Sequence, residues 1–161
     1  MVLLTEKNLK RFLEYHSIDA EIVEFNRDVM RSESARQVVK DGIVVKSVVM
    51  MVDGNPVICI LRGSDRIDME KLRKLEDAEE VRLAKAKEVK NVTGYDIGGV
   101  PPFGHLKRFK TIVDEEVTKL KDETLFLGGG SHYHLLKIRG ETLLNVLKNI
   151  VGNVKIEDIR E

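Results

Sequence analysis

The chain has 161 residues, 42% hydrophobic and 34% charged, a balance that suits a protein with a buried core and excludes a disordered chain. No apolar run approaches the roughly 20 residues that span a bilayer, and the start, MVLLTEKNLKRFLEYH, lacks the apolar centre and cleavage site of a secretion signal, so a cytoplasmic protein without membrane attachment is expected. The 27 lysines and arginines cancel the 27 aspartates and glutamates, so a polyanionic partner would have to be met by a local patch.

TEKNLKRFLEYHS places Leu9, Phe12 and Leu13 on one helical face behind a Thr5 cap, with His16 near the helix end as a surface or capping residue. AEIVEF predicts a short strand, and SESARQVVKDG a helix that starts near Ser32 or Ser34 and stops at Gly42. IVVKSVVMMVDGNPVICILRG is two β-branched runs joined by Asp53-Gly54, a hairpin signal; their nearly unbroken apolar character puts the pair mid-sheet, covered on both faces. Cys59, within that run, is expected to be a small buried hydrophobe. Lys46 breaks the pattern, because a cation there must reach solvent or carry charge into a site.

SDRIDMEKLRKL predicts a short helix, EVRLA a strand, and KAKEVKNVTG a helix stopped by Gly94. KTIVDEEVTKL predicts a strand and a helical turn, while TLFLGGG and HYHLLKI predict two further strands. GETLLNVLKNIVG is an amphipathic helix with Leu143, Leu144, Leu147, Ile150 and Val151 on one side, and VKIEDI a last strand. With no internal repeat or linker, residues 1–161 are expected to form one α+β domain.

TGYDIGGVPPFGHLKRF, residues 93–109, gathers four glycines around two of the three prolines in the chain. Glycine lets backbone approach a ligand with no side chain in the way and proline holds the result rigid, so such a loop can aim N–H groups at an oxygen. It has no Gly-Lys-Ser/Thr and lacks the spacing of a dinucleotide fingerprint. The basic HLKRFK that follows is a solvated face or a guide for a phosphodiester chain. His132 and His134 alternate on an expected strand, with His105 a further candidate neighbour, but no matching Cys or carboxylate spacing accompanies them. Ser131 and His132 would point to opposite faces of a strand, as would Ser47 and Lys46, so neither serine pairs with its neighbour as an activated nucleophile.

Lys46 in the central hairpin, TGYDIGGVPPFGH some fifty residues later, and LFLGGGSHYHLLKI before an amphipathic helix together resemble the YbaK/ProX family of aminoacyl-tRNA editing domains, in order and over nearly the whole chain. The resemblance implies a mixed, largely antiparallel β-sheet or barrel surrounded by helices. It implies hydrolysis in trans of the ester of a mischarged tRNA, of the Ala- or Cys-tRNA(Pro) type, in a pocket that admits the tRNA 3′ end. By the same resemblance Lys46, Gly98, Gly99 and Pro102 carry the reaction. Tyr95, Val100, Pro101, Gly104 and the turn Gly128, Gly129, Gly130 contact the substrate, with His105 and His132 beside them. The substrate's own 2′-hydroxyl would help position the water, and neither metal nor cofactor is required. Many relatives have Ser where this chain has Pro101, a difference that bears on amino-acid specificity. A synthetase partner is a further expectation. The alternatives are a non-catalytic module of the same fold that binds tRNA or a synthetase, and a metal-dependent hydrolase built on His132 and His134.

Overall fold

The computed structural model describes residues 2–161. Helix α1 (Glu6–Tyr15) starts where the sequence places it. Thr5 Oγ1 accepts the Lys7 N–H at 3.2 Å, and Asn8 Oδ1 accepts the Thr5 N–H at 2.9 Å. His16 is its C-cap and packs against Phe12, ring centroids 4.5 Å apart and planes tilted by 54°. After β1 (Ala20–Glu24) and α2 (Ser32–Val38), β2 (Ile43–Val52) and β3 (Asn55–Arg62) form the expected hairpin. Asp53 and Gly54 both have positive φ (49° and 79°), the geometry a two-residue turn needs to match strand twist. The chain continues through α3 (Met69–Leu75), β4 (Val81–Leu83), α4 (Ala86–Thr93), β5 (Lys110–Asp114), α5 (Glu115–Thr118), β6 (Thr124–Gly128), β7 (His134–Arg139), α6 (Gly140–Val146) and β8 (Val154–Glu157).

These strands form one eight-stranded sheet in the order β1-β7-β6-β2-β3-β5-β8, with β4 also on β2. Four of its seven pairings are antiparallel. The sheet is open, since no pairing joins β1 to β8 among the described residues. The largest core cluster joins Leu9 and Leu13 of α1 and Leu143 and Leu147 to Val45 and Ile60 of the hairpin, and each such side chain contributes about 1.5–3 kcal/mol on burial. A second cluster, with Met50, Cys59, Leu72 and Ile159, covers the opposite face, so the hairpin is enclosed as expected. Burial pushes the Cys59 thiol up to about 12, so it acts as a hydrophobe. The C-terminal segment is fixed by fully buried Asp114, which accepts from Glu116 N, Ile159 N and the Arg160 guanidinium.

Three boundaries differ from expectation. Helix α2 ends at Val38, because Val39 turns extended (φ −84°, ψ 116°), and Gly42 instead lies where Phe126 and the Thr124 carbonyl leave no room for a Cβ. Strand β7 begins at His134, because Ser131–His134 closes a turn in which Ser131 Oγ accepts the Tyr133 N–H. The last helix widens into a π-helical turn, Leu147–Val151, before Gly152 (φ 73°) ends it.

Candidate active site

The cleft lies where β2 loses its neighbours on one edge. Residues Ile43 and Val44 pair with β6, and Met50 to Val52 with β4, so residues 45–49 face a fork between two strands. A cavity of about 310 Å³ opens there, lined by Val29, Met30, Ala35, Ala84, Gly98 and Val100. Phe126, Gly128 and Leu135 contribute a further wall. Its lining is mostly apolar, the usual character of a small-molecule pocket with a few polar groups to orient the ligand.

Two adjacent residues of β2 supply such groups. Val44 O accepts from Gly63 N on the β3 side and Val49 O from Ala84 N on the β4 side, so alternation turns the Ser47 N–H and C=O into the fork. The Ser47 hydroxyl is buried there without a hydrogen-bond partner among the described residues, which costs about 1–3 kcal/mol unless a ligand or water meets it. Lys46 points to the other face of the strand. Its Nζ donates to Asp65 O at 2.5 Å and more weakly to Gly63 O at 3.4 Å, which seats the ammonium at the cleft edge. Partial burial lowers its pKa first; the Asp65 carboxylate opposes that shift, and the Arg36 and Arg66 charges add to it.

The glycine-proline loop follows α4, whose helix stops at left-handed Gly94 (φ 85°) as expected. Gly98 (φ 87°) and Val100 line the cleft, and no acceptor within the protein takes either N–H among the described residues. Gly99 is turned away, its N–H given to Asp96 O and its carbonyl accepting from Gly130 N. Pro101, Pro102 and Phe103 are buried beneath the loop. Tyr95 is also fully buried, packed against Val49, Ala84 and Val100 with its hydroxyl donating to Gly104 O at 3.2 Å; burial raises its pKa. His105 Nε2 lies 2.7 Å from Pro101 O, which can only accept, so Nε2 carries the proton. Desolvation lowers the His105 pKa to about 4 against the partial opposition of that hydrogen bond, leaving the ring neutral at physiological pH. Thus the structure places Gly98 and Val100 on the cleft, and Tyr95, Pro101, Pro102, Gly104 and His105 in the frame that holds the loop.

The second glycine turn buttresses the first loop. A Cβ on Gly128 would meet Val100 O at 2.2 Å, one on Gly129 the His134 carbonyl group at 2.6 Å, and one on Gly130 the Glu6 N at 2.7 Å. Only Gly128 of the three lines the cleft. His132 sits behind that wall, its carbonyl accepting from Val29 N and its Nδ1 3.8 Å from Asp28 Oδ2.

The sequence argued against a Ser131–His132 pair, and the turn brings His134 to Ser131 instead. Ser131 Oγ shares a short hydrogen bond with His134 Nδ1, and His134 Nε2 lies 3.5 Å from Glu24 Oε2. The group is behind Gly99 and off the cleft lining, where it closes the turn. His132 and His134 therefore face separate carboxylates, and no three His, Cys, Asp or Glu side chains converge as metal ligands among the described residues. The walls from Met30 and Ala35 were not legible as site residues, because their segment carries no motif; only Ser47, polar in an apolar strand, offered a signal. No helix among the described residues is long and apolar enough to cross a membrane.

Comparison with known proteins gives a consistent result. A family model described as "Aminoacyl-tRNA editing domain" matches residues 27–146. The chain is 26% identical over 146 residues to the "Putative Cys-tRNA(Pro)/Cys-tRNA(Cys) deacylase EbsC" of Enterococcus faecalis, covering 86% of this chain and 87% of that protein. It is 39% identical over 77 residues to the proline–tRNA ligase of Lactobacillus gasseri, covering 48% of this chain and 14% of the ligase. The structure titled "Crystal structure of a putative trans-editing enzyme for prolyl tRNA synthetase" superposes with a TM-score of 0.82 at 24% identity, covering 97% of this chain and 96% of that one. This last likeness concerns the fold.

Proposed function

Since the chain belongs to the aminoacyl-tRNA editing domain family, we propose that it hydrolyses the ester of tRNA(Pro) mischarged with a small amino acid, cysteine or alanine, acting in trans and without a metal. The observation that carries this reading is the mostly apolar cleft of about 310 Å³, lined by Gly98 and Val100, whose N–H groups have no acceptor among the described residues, and by Lys46, whose ammonium is held by Asp65 O. The name of the Enterococcus relative supports cysteine as one substrate.

An aminoacyl ester is already activated, so positioning and charge stabilisation suffice. Water adds to the ester carbonyl carbon, and the oxyanion that forms is held by N–H groups of the Gly98–Val100 loop. The carbon–oxygen bond to the ribose then breaks, the departing 3′-oxygen takes a proton, and free amino acid and intact tRNA leave. Lys46 holds the terminal nucleotide, and the substrate's 2′-hydroxyl positions the water. The Ser47 hydroxyl and backbone meet polar groups of the aminoacyl moiety in the fork. His132 and His134 face separate carboxylates, an arrangement that does not call on them as ligands.

The test is a deacylation panel of cysteinyl-, alanyl-, seryl-, threonyl- and prolyl-tRNA(Pro) with wild type and Lys46→Ala, each with excess chelator. Loss of cysteine or alanine that survives chelator and falls by about tenfold or more in the variant is expected. Binding of tRNA with no hydrolysis on any substrate would replace this reading with a binding module.

A further inference from the structure

The mouth of the cleft is not electrically neutral even though the chain is. Arg31 lines the cleft just before α2, and Arg36 lies on the same helix four residues after Ser32, so Ser32 and Arg36 share a face. That face meets the turn after β3: a Cβ on Gly63 would come within 3.2 Å of Ser32 Cβ. Lys46 Nζ is tied to the carbonyls of the same turn, and Arg66 follows it directly. Three arginines and Lys46 are thereby gathered along one side of the opening, and Arg36 and Arg66 act on the Lys46 charge through space.

All three arginines are exposed, and none has a carboxylate within 4.0 Å among the described residues. Arg73, Arg82 and Arg160 elsewhere are each held by an acidic side chain. Asp65 and Glu33 are the acidic residues on these two segments, so positive charge predominates over the pair. Uncommitted guanidinium groups present planar forks that match phosphate oxygens.

We propose that Arg31, Arg36 and Arg66 form a phosphate-binding rim that takes the phosphodiester backbone of the RNA 3′ strand as its last nucleotide enters the cleft beside Lys46. This rests on the aminoacyl-tRNA reading above and adds a direction to it: the strand arrives across α2 and the Gly63–Arg66 turn. Because the rim binds phosphate, it strengthens binding without reading base identity.

The experiment compares wild type with the triple variant Arg31→Gln, Arg36→Gln, Arg66→Gln, whose thermal melting is checked first, with the three single variants in reserve should the triple variant not fold. Three quantities are measured: affinity for deacylated tRNA as a function of salt, kcat and KM on cysteinyl-tRNA(Pro), and the same on cysteinyl-adenosine, which has no phosphate. In the variant, tRNA affinity should fall by about tenfold or more, with a salt slope shallower by roughly 0.7–0.9 for each phosphate no longer neutralised. The loss on aminoacyl-tRNA should lie in KM, and cysteinyl-adenosine should be affected far less. Unchanged affinity and salt slope would overturn the rim, as would equal losses on both substrates. If wild type hydrolyses neither substrate, the deacylase reading fails, while the binding measurement still decides the rim.

Discussion

Gly128 lies so close to Val100 that a Cβ on the glycine would stand 2.2 Å from the Val100 carbonyl oxygen. This approach is backbone against backbone, so no side-chain rotation relieves it. Gly128→Ala should therefore push the loop bearing Gly98 and Val100 away from the cleft, costing about 1–3 kcal/mol of stability and most of the hydrolysis. Gly54→Ala is the control. Nothing lies within 4 Å of that site, so only its left-handed backbone (φ 79°) is penalised, by about 1–2 kcal/mol, and hydrolysis should persist. Thermal melting and a deacylation assay check both variants.

Removing the orphan hydroxyl of Ser47 should have opposite effects on the empty and the loaded protein. With no ligand, Ser47→Ala deletes an unpaired buried polar atom and should be neutral or stabilising by up to about 1 kcal/mol. With aminoacyl-tRNA, it should raise KM or change the preference among amino acids. A variant that loses stability and keeps wild-type selectivity would show that the hydroxyl serves the fold.

His105 links loop integrity to pH. Its native pKa is about 4, against 6.5 for a free side chain. Above pH 6.5 neither state binds the proton, so His105 makes no pH-dependent difference. As pH falls from 6.5 toward 4 the unfolded chain is protonated and the native ring is not, so stability drops; below 4 both are protonated and the change levels off. The residue is only partly buried, and solvent screening keeps the loss to about 1–2 kcal/mol. Urea titrations between pH 4 and 7 should show this loss in wild type and not in His105→Asn, and a parallel pH dependence in the two would remove the assignment.

Asp114→Ala should be the most damaging polar substitution outside the cleft. It leaves the buried Ile159 N–H without its acceptor and removes one of the carboxylates around Arg160, which keeps Glu115, Glu116 and Asp158, and about 1–3 kcal/mol is expected. Asp114→Asn, which keeps an acceptor, should lose less. Denaturant midpoints measure the order.

Much of this was legible in sequence because local chemistry and tertiary need agreed. Asp53-Gly54 is a turn by its own dihedrals, Thr5 caps by its own hydroxyl, and the apolar hairpin must lie inside. The prolines were legible as a rigid element and Tyr95 was expected to contact the substrate, but none was legible as a buried support, since composition does not say which side of a loop meets the core. The fork in the sheet was not legible. It depends on β6 and β4 pairing with opposite ends of β2, strands more than thirty residues apart in sequence from one another. The same long-range pairing turned Ser47 into a cleft residue and brought Met30 against Gly98, where a Cβ would fall 2.0 Å from the Met30 side chain.

The most direct measurement is the rate at which cysteinyl-tRNA(Pro) and prolyl-tRNA(Pro) lose their amino acids with the purified protein, against spontaneous loss without it. Rapid release of cysteine with prolyl-tRNA(Pro) left at its spontaneous rate is the expected result. Both esters decaying at the spontaneous rate, while the tRNA binds, would contradict the account.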